Sequence, residues 1–315
     1  MIIVTGGYGF VGANLVKALN ERGRDDVLVV DNLSNGEKFV NLVDCEISDY
    51  FDKEDFIEEL IESGLPEETE VVFHQGACSD TTEWDGRYMM ANNYEYSRIL
   101  LHACLDRQIP LIYASSASVY GLNRECSETA GNESPLNVYG YSKFLFDRYV
   151  RRMHAGDMAG SQVVGLRYFN VYGPREQHKG RMASVAWHFD QQIRETGKCR
   201  LFSGSDAYGD GEQRRDFVCV DDIVAINLWF WENRGCGGIY NCGTGASRSF
   251  NAMARAVIDH HGRGEIEYIP FPESLKGHYQ SFTEADISNL RGAGFDQPFK
   301  SLEDGVRDYL NWMDA

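Results

Sequence analysis

The chain has 315 residues, of which 43% are apolar and only seven are proline, so we expect a folded protein without long disordered stretches. Its formal net charge of −18 argues against nucleic acid and against an anionic membrane surface as partners. The eight cysteines lack C-x-x-C or His-linked metal spacing, and no apolar run is long enough to cross a membrane. These features predict a cytoplasmic protein with reduced thiols and no metal site.

The chain begins with an apolar run of strand length at residues 1–4, followed by TGGYGFVG at residues 5–12. We therefore expect no signal peptide. From Val11 onward apolar residues recur at helical spacing, so the glycines lie where a strand turns into a helix. They fit the dinucleotide-binding fingerprint equally well in two registers, Gly7-x-Gly9-x-x-Gly12 and Gly6-x-x-Gly9-x-x-Gly12. The exposed N–H groups and the positive end of the helix dipole favour a diphosphate there.

The second apolar run, residues 27–30, ends in Asp31. This acid comes about 19 residues after the last glycine, where dinucleotide-binding folds place a carboxylate on the adenosine ribose. Lys38 and Lys53 follow near the expected adenosine end. They are either two solvated surface lysines or contacts for a ribose 2′-phosphate. The second interpretation would make the cofactor NADP, with NAD as the alternative.

The rest of the chain alternates between strand-like and helix-like segments. Strands are predicted at 42–47, 70–74, 111–114, 162–167, 214–220 and 238–242. Helices are predicted at 53–61, 84–105, 144–153, 182–193, 221–232, 249–261, 283–290 and 301–312. This alternation predicts an α/β fold with a doubly wound parallel Rossmann sheet, largely complete by Arg167. We expect the cofactor domain at 1–170 plus 216–245, and a smaller α/β substrate-binding domain at 171–215 plus 246–315.

Three residues form the candidate catalytic group: Tyr139, Lys143 and Ser116. Tyr139 and Lys143 are four residues apart, so they share one face of a predicted helix. A nicotinamide can oxidise an alcohol only if a base takes the hydroxyl proton. A nearby ammonium, together with the positive nicotinamide, is expected to lower the pKa of a tyrosine toward that role. Ser116, at the end of a strand, can hold the substrate oxygen. Y-x-x-x-K alone is common, but here it follows a glycine fingerprint and an acid-ended strand.

Four segments together resemble the extended short-chain dehydrogenase/reductase family of nucleotide-sugar enzymes: residues 5–12, 115–121, 139–143 and 168–175. In that family, 4,6-dehydratases carry an Asp-Glu pair just after the position of Ser116. This chain has Ala117 and Ser118 instead, so the resemblance disfavours dehydration. It leaves epimerase chemistry, in which a hydroxyl-bearing carbon is oxidised and then reduced from the opposite face.

A narrower resemblance, to the ADP-heptose 6-epimerases, covers nearly the whole chain. It is carried by TTEWDG at 81–86, REQHKG at 175–180 and LKGHYQ at 275–280. It implies bound NADP, an ADP-heptose substrate inverted at C6″ for lipopolysaccharide core synthesis, and a homo-oligomer, by resemblance a pentamer. It also implies two bases on opposite faces of a ketone, matching Tyr139 and Lys179. Without the resemblance, Lys179 would be interpreted as an exposed loop lysine.

The resemblance and the glycine motif together assign the binding residues. Those expected at the cofactor are Gly6, Gly9, Phe10, Val11, Gly12, Asp31, Asn32, Lys38, Lys53, Gln75, Gly76, Ala77, Cys78, Ser79, Asn92, Lys143, Val171 and Lys179. Those expected at the substrate are Ser116, Asn170, Arg181, His188, Phe202, Ser203, Gly204, Ser205, Arg215 and Tyr279. Arg181 and Arg215 suit a diphosphate clamp, although either could form a surface salt bridge. Gln75 replaces an acid, and the loop 206–213 is longer than the family's usual one.

Two other functions stay open at this point. One is a UDP-hexose 4-epimerase of the same superfamily. The other, of a different class, is a non-catalytic NADP-binding sensor, which the intact Ser116, Tyr139 and Lys143 argue against.

Overall fold

The computed structural model describes residues 1–155, 160–205, 207–273 and 279–315. Asp206 and the residues 275–278 of the LKGHYQ segment lie outside the described residues. The strands are β1 Ile2–Thr5, β2 Val27–Asp31, β3 Asp49–Asp52, β4 Val71–His74, β5 Leu111–Ser116, β6 Val163–Tyr168, β7 Asn170–Tyr172, β8 Lys198–Phe202, β9 Arg214–Arg215, β10 Phe217–Cys219, β11 Gly238–Cys242, β12 Arg248–Ser249 and β13 Glu265–Ile269. The helices are α1 Phe10–Glu21, α2 Lys53–Ser63, α3 Gly86–Met90, α4 Tyr96–Asp106, α5 Val138–Ala155, α6 Val185–Thr196, α7 Val220–Glu232, α8 Phe250–His261, α9 Ser288–Ala293 and α10 Leu302–Asp314.

The central sheet has seven strands in the order β11-β6-β5-β4-β1-β2-β3 and is parallel. Its central strands are buried on both faces, which explains why they appear in the sequence as continuous apolar runs. The strand order reverses between β1 and β4, which pair in parallel from Ile2↔Val71 to Thr5↔His74. Ligands of open α/β sheets bind at the carboxyl ends of strands at such a reversal. The predicted doubly wound fold is confirmed.

Two local predictions are wrong. Residues 42–47 are not a strand: a 3₁₀ helix occupies Gly36–Leu42, and the third strand is β3. Val43 is 70% exposed, so it does not lie in the buried sheet. The strand β3 instead pairs with β2 from Leu28↔Asp49 onward. The predicted helix at 283–290 begins only at Ser288, because Ala285 forms a β-bridge with Cys126.

The chain forms two compact units. The first comprises Met1–Val119, Pro135–Arg167 and Val224–Tyr240, and the second comprises Tyr120–Ser134, Tyr168–Ile223 and Asn241–Ala315. These ranges place residues 120–134, 168–170, 216–223 and 241–245 in the second unit, whereas the sequence predicted them in the cofactor domain. The assignment of cofactor and substrate to separate domains remains a prediction.

Each unit has its own apolar core. In the first unit, α2, α4 and α5 pack on the sheet through Phe56, Leu60, Leu100, Phe146 and Val150. In the second, α6, α8 and α10 surround a core that includes β8 and β10. All eight cysteines are free, and five of them are buried. Within the described ranges, the helices lack the combination of length and apolar character that a membrane span requires.

Candidate active site

In the glycine turn between β1 and α1, backbone segments lie so close together that side chains would not fit. Gly6 has φ 68°, and a Cβ there would lie 2.6 Å from the backbone nitrogen of Gly76. A Cβ at Gly12 would fall well inside van der Waals contact with the carbonyl oxygen of Gly6. The N-cap of α1 is Gly9, which offers no side-chain cap, so the first turn of the helix keeps amide donors for a ligand. This turn fits the diphosphate of a dinucleotide.

Gly12→Ala is therefore expected to displace the turn and to empty the purified protein of nicotinamide cofactor. The added methyl group meets backbone, which cannot rotate away, and such overpacking costs about 1–3 kcal/mol or more of unfolding free energy. Cofactor released by acid denaturation and the urea midpoint measure the two effects. Gly292→Ala is the matched control, because nothing lies within 4 Å of its Cβ position. Equal cofactor content in Gly12→Ala and wild type would contradict this account of the turn.

A cavity of about 210 Å³ opens beside this turn in the first unit. It is lined by Thr5, Gly6, Val30, Asp31, Asn32, Ser34, Lys38, Lys53, Gly76, Ala77, Cys78, Tyr88, Asn92 and Tyr96. Nine of the eighteen predicted cofactor residues are among them: Gly6, Asp31, Asn32, Lys38, Lys53, Gly76, Ala77, Cys78 and Asn92. The sequence motifs thus converge on one cavity at the adenosine end of the expected site.

Asp31 is held by three donors at the mouth of this cavity. Its Oδ2 accepts a hydrogen bond from the backbone N–H of Tyr8 at 2.9 Å, and its Oδ1 accepts one from the N–H of Asn32 at 2.7 Å. The ammonium of Lys38 also reaches Oδ1, at 2.5 Å. Lys53 donates to Oδ1 of Asn92 at 2.5 Å. Both lysines therefore point toward the cavity wall rather than into bulk solvent.

Five residues of the cavity are absent from the predicted cofactor set: Thr5, Val30, Ser34, Tyr88 and Tyr96. Tyr88, Asn92 and Tyr96 are spaced four apart on the continuous helical run of α3, the π-helical turn Ala91–Glu95 and α4. This i, i+4, i+8 spacing was a signal that could have found them. The hydroxyl of Tyr96 is buried and has no hydrogen-bond partner in the described part of the chain. An unsatisfied buried donor is expected where a ligand supplies the partner.

The other predicted cofactor residues lie outside that cavity. Phe10 is buried at the start of α1, beside Val11, and Gln75 donates to Oδ1 of Asn227 at 3.1 Å. Ser79 is exposed. Val171, in β7, belongs to the second unit, as does Lys179.

Asn93 fixes the segment that follows β4. Its side chain accepts from the N–H of Cys78 at 2.8 Å and donates to the carbonyl of Cys78 at 2.9 Å. His74, at the end of β4, is buried between the hydroxyls of Thr5 and Ser97, at 2.6 and 2.8 Å. Burial lowers its pKa to about 3, so it is a neutral core residue and not a site for proton transfer at physiological pH.

Tyr139 and Lys143 lie on the first turns of α5, and Ser116 ends the neighbouring strand β5. Lys143 donates from Nζ to the carbonyl of Ala114 at 2.8 Å, and burial lowers its pKa to about 8. Ser116 accepts hydrogen bonds from the N–H and hydroxyl of Ser118, at 3.2 and 2.9 Å. The first unit thus brings all three residues of the candidate catalytic group together.

The predicted lowering of the Tyr139 pKa by Lys143 together with a positive nicotinamide remains a prediction. The pKa of Tyr139 is raised, because burial disfavours the phenolate, while a hydrogen bond with Ser116 acts in the opposite direction. The Lys143 ammonium is directed at Ala114 and is not among the groups that shift the Tyr139 pKa.

A buried ion pair fixes α5 against the sheet one turn after Lys143. Asp147 and Arg167 are both fully buried, and Nη2 of Arg167 lies 2.8 Å from Oδ2 of Asp147. The carboxylate also accepts from the hydroxyls of Tyr113 and Ser115, each at 2.9 Å. This network fixes the position of α5 relative to β5 and β6, and so positions Tyr139 and Lys143.

In the second unit, Lys179, Arg181 and His188 lie close together in sequence and structure. Lys179 and Arg181 are in the 3₁₀ turn Gln177–Met182, which is interrupted at Gly180 by φ 52° and ψ −122°. Nε2 of His188, on the first turns of α6, lies 3.3 Å from the carbonyl oxygen of Arg181. Lys179 is half-buried and its pKa is lowered, chiefly by burial, with Glu176 acting in the opposite direction.

A second group of predicted substrate residues surrounds Arg215. The ring of Tyr279 lies under the Arg215 guanidinium at 4.9 Å, and Phe202 packs edge-on against Tyr279 at 6.3 Å. The segment after β8, Ser203–Ser205, is held by bonds such as Ser203 Oγ to the carbonyl of Ile269. Arg215 is only 7% exposed, yet within the described ranges it forms no ion pair with a carboxylate. A buried guanidinium of this kind is suited to an anionic ligand.

Asn170 is exposed in β7, and its Oδ1 accepts from the hydroxyl of Thr283 at 3.5 Å. It pairs through the backbone with Phe217 of β10.

Comparison with known proteins agrees with this geometry. Residues 2–243 match the family described as the NAD dependent epimerase/dehydratase family. The chain belongs to that family.

Three individual proteins show which members of the family the chain is similar to. The chain is 65% identical to ADP-L-glycero-D-manno-heptose-6-epimerase of Alkalilimnicola ehrlichii over 99% of this chain and 97% of the relative. The crystal structure of the Helicobacter pylori protein of that name has a TM-score of 0.84 at 31% identity, covering 100% and 96% of the two chains. A Thermus thermophilus UDP-glucose 4-epimerase in complex with NAD has a TM-score of 0.78 at 26% identity, covering 100% and 99%. The predictions of an enzyme, of a nucleotide-sugar epimerase and of a nicotinamide cofactor are confirmed.

Proposed function

We propose that this epimerase interconverts ADP-D-glycero-D-manno-heptose and ADP-L-glycero-D-manno-heptose by inverting C6″ through transient oxidation and reduction with bound NADP. The observation that carries the proposal is the 65% identity, over 99% of the chain, to a relative named for this reaction. The candidate catalytic group supports it, because Tyr139, Lys143 and Ser116 are assembled at the end of β5. In this proposal the enzyme is a cytoplasmic homo-oligomer that supplies heptose for lipopolysaccharide.

The cofactor we propose is NADP rather than NAD. The cavity at the adenosine end carries two ammonium groups, Lys38 and Lys53, beside the carboxylate of Asp31. Asp31 alone would repel a 2′-phosphate, but Lys38 pairs with it at 2.5 Å. In the part of the chain that the structure describes, Lys53 donates to the neutral amide of Asn92 and pairs with no carboxylate, so its charge is available for a phosphate. Two further features fit the remainder of the nucleotide. One is the glycine turn, whose space a Cβ would fill, and the other is the buried hydroxyl of Tyr96, which has no hydrogen-bond partner among the described residues.

Replacing both lysines, as Lys38→Ala with Lys53→Ala, is expected to weaken NADP binding about 10²–10⁴-fold while leaving NAD binding within a few-fold. Each lost charge contact to a phosphate corresponds to about 1.5–3 kcal/mol. Titration calorimetry of the cofactor-stripped enzyme with both nucleotides measures the ratio. Lys17→Ala is the control, because Lys17 pairs with Asp44 and does not line the cavity. Equal losses for NADP and NAD would contradict the assignment.

In the proposed reaction, the bound oxidised nicotinamide supplies the hydride acceptor. Tyr139 exchanges a proton with the oxygen on C6″, and Ser116 orients that oxygen by a hydrogen bond. Lys143 holds the carbonyl of Ala114 and adds positive charge near the phenol. Burial raises the pKa of the Tyr139 phenol, so the positive charges of Lys143 and of a bound nicotinamide would be needed to favour the phenolate that takes the hydroxyl proton.

Inversion requires proton transfer on both sides of a planar ketone, and we assign the second acid–base group to Lys179. Burial lowers the pKa of its ammonium, which makes proton release easier than from an ordinary surface lysine. Arg181 and Arg215 would bind the diphosphate, with His188, Tyr279, Asn170 and the 202–205 segment forming the rest of the sugar-nucleotide site. Arg215 supports this most strongly, since its buried charge has no carboxylate partner in the described ranges.

The second candidate is a UDP-hexose 4-epimerase, which the likeness to the Thermus thermophilus enzyme favours. Purified enzyme incubated separately with ADP-D-glycero-D-manno-heptose and with UDP-galactose, followed by NMR of the products, distinguishes the two. The proposal predicts an equilibrium mixture of the two ADP-heptose epimers and no conversion of UDP-galactose. Conversion of the UDP-sugar alone would overturn it. Conversion of neither sugar by protein that retains cofactor would favour the non-catalytic sensor.

A further inference from the structure

A fully buried carboxylate lies behind the turn that carries Lys179. Glu176 has 0% exposure. Its Oε1 accepts from the hydroxyl of Ser184 at 2.7 Å and from the N–H of Gly173 at 3.3 Å, and its Oε2 accepts from the N–H of Ser184 at 2.6 Å. Its backbone carbonyl accepts from the N–H of Lys179 at 2.9 Å. The reaction proposed above assigns Glu176 no role.

These bonds attach the turn at both ends. Gly173 precedes the 3₁₀ turn Gln177–Met182 and Ser184 follows it, so one side chain joins the backbone on either side. The turn needs such support, because Gly180 interrupts it with a positive φ. Ser184 is also the N-cap of α6, accepting from the N–H of Trp187 at 3.3 Å. Loss of the Glu176 carboxylate would therefore release the turn from α6.

The same carboxylate is the negative charge that acts on Lys179. Burial raises the pKa of Glu176, while Lys179 is the first of the groups that lower it, followed by the donors of Ser184 and Gly173. In return, Glu176 raises the pKa of Lys179 against the lowering caused by burial. From α10, Tyr309 also faces Glu176, and the pKa of this buried phenol is raised by burial and by the charge of Glu176. Tyr309 stays neutral, so it adds no charge beside Lys179 and Glu176.

We propose that Glu176 is a positioning residue for Lys179: its carboxylate fixes the turn that carries the lysine and supplies the negative charge that the ammonium faces. This inference rests on the proposed role of Lys179 as the second acid–base group. Glu176 itself is buried behind the turn and exchanges no proton with the substrate.

The decisive variant is Glu176→Gln, which keeps the size of the side chain and removes its charge. Without that charge, Glu176 no longer opposes the lowering caused by burial, so the Lys179 pKa is expected to fall. We expect kcat to fall about 10–100-fold, with little change in KM. Lys179 would be displaced and its pKa shifted, which slows the proton transfer that follows substrate binding. The limb of the kcat–pH profile that depends on Lys179 should move to lower pH.

Two further variants separate tuning from simple loss of structure. Ser184→Ala weakens the same turn and the cap of α6 but leaves the carboxylate charged, so the Lys179 pKa is expected to stay at its wild-type value. Glu176→Asp restores the charge on a shorter side chain and should recover the Lys179 pKa and part of kcat. If Glu176→Gln does not fold, the comparison of Glu176→Asp with Ser184→Ala still tests the inference.

The Lys179 pKa is measured without turnover, by competitive acetic anhydride labelling across pH with peptide mass spectrometry. An unchanged Lys179 pKa in Glu176→Gln, or an equal fall in Ser184→Ala, would overturn the inference. Full activity of Lys179→Met would instead contradict the proposed function, and labelling would still report whether Glu176 acts on the lysine. The two failures are therefore distinguishable.

Discussion

Tyr139→Phe is expected to lower turnover of ADP-heptose by about 10²–10⁴-fold, the range that a positioned general acid–base group contributes. The change removes one hydroxyl from the start of α5 and leaves the aromatic ring in place. Because Tyr139 is not part of the adenosine cavity, nicotinamide content should stay at the wild-type level. Steady-state kinetics and cofactor release from the same preparation measure both quantities.

Tyr141→Phe is the matched control. Tyr141 lies two residues further along α5 and is 45% exposed, so the same loss of a hydroxyl should leave kcat within about twofold. Activity of Tyr139→Phe close to that of Tyr141→Phe would remove the tyrosine from the mechanism. Loss of cofactor from Tyr139→Phe would mean that its role is in binding rather than in proton transfer.

Asp147→Ala is expected to reduce the free energy of unfolding by about 3–5 kcal/mol, because it leaves the buried guanidinium of Arg167 without its counter-charge. The hydroxyls of Tyr113 and Ser115 would lose their acceptor at the same time. The same substitution should lower kcat, since α5 also carries Lys143. Urea unfolding followed by circular dichroism gives the stability change.

Glu95→Ala is the comparison for that experiment. It also removes one carboxylate from an ion pair with an arginine in the first unit, but the Glu95 side chain is 54% exposed in its pair with Arg98. Exposed pairs contribute about 0–1 kcal/mol, so the midpoint should change little. Similar destabilisation by the two variants would show that burial does not determine how much the Asp147–Arg167 pair contributes to the free energy of unfolding.

Much of the fold could be predicted because its central strands are buried on both faces. β1, β2 and β4 are continuous apolar runs, and the glycine turn and the ends of β2 and β5 follow directly from them. β3 could not be found in this way. Its sequence, DYFD, is mostly polar and partly exposed at the edge of the sheet, and its strand conformation comes from pairing with β2.

The candidate site could likewise be predicted only in part. Tyr139 and Lys143 could be placed on one face by their spacing, and Asp31 by its distance from the glycines. The direction in which the Tyr139 pKa shifts could not be predicted, because it depends on burial and on the hydrogen bond with Ser116 in the folded site. The hydrogen bonds of Glu176 depend on Gly173 and Ser184, whose approach is set by the folded turn.

Isotope retention during epimerisation tests the central claim most directly. ADP-D-glycero-D-manno-heptose deuterated at C6″ is incubated with the enzyme in ordinary water, and the L-glycero product is analysed by NMR and mass spectrometry. If C6″ is oxidised and reduced within one closed site, the product carries the deuterium at C6″ with inverted configuration. Replacement of that deuterium by solvent hydrogen, or inversion at any other carbon, would contradict the account.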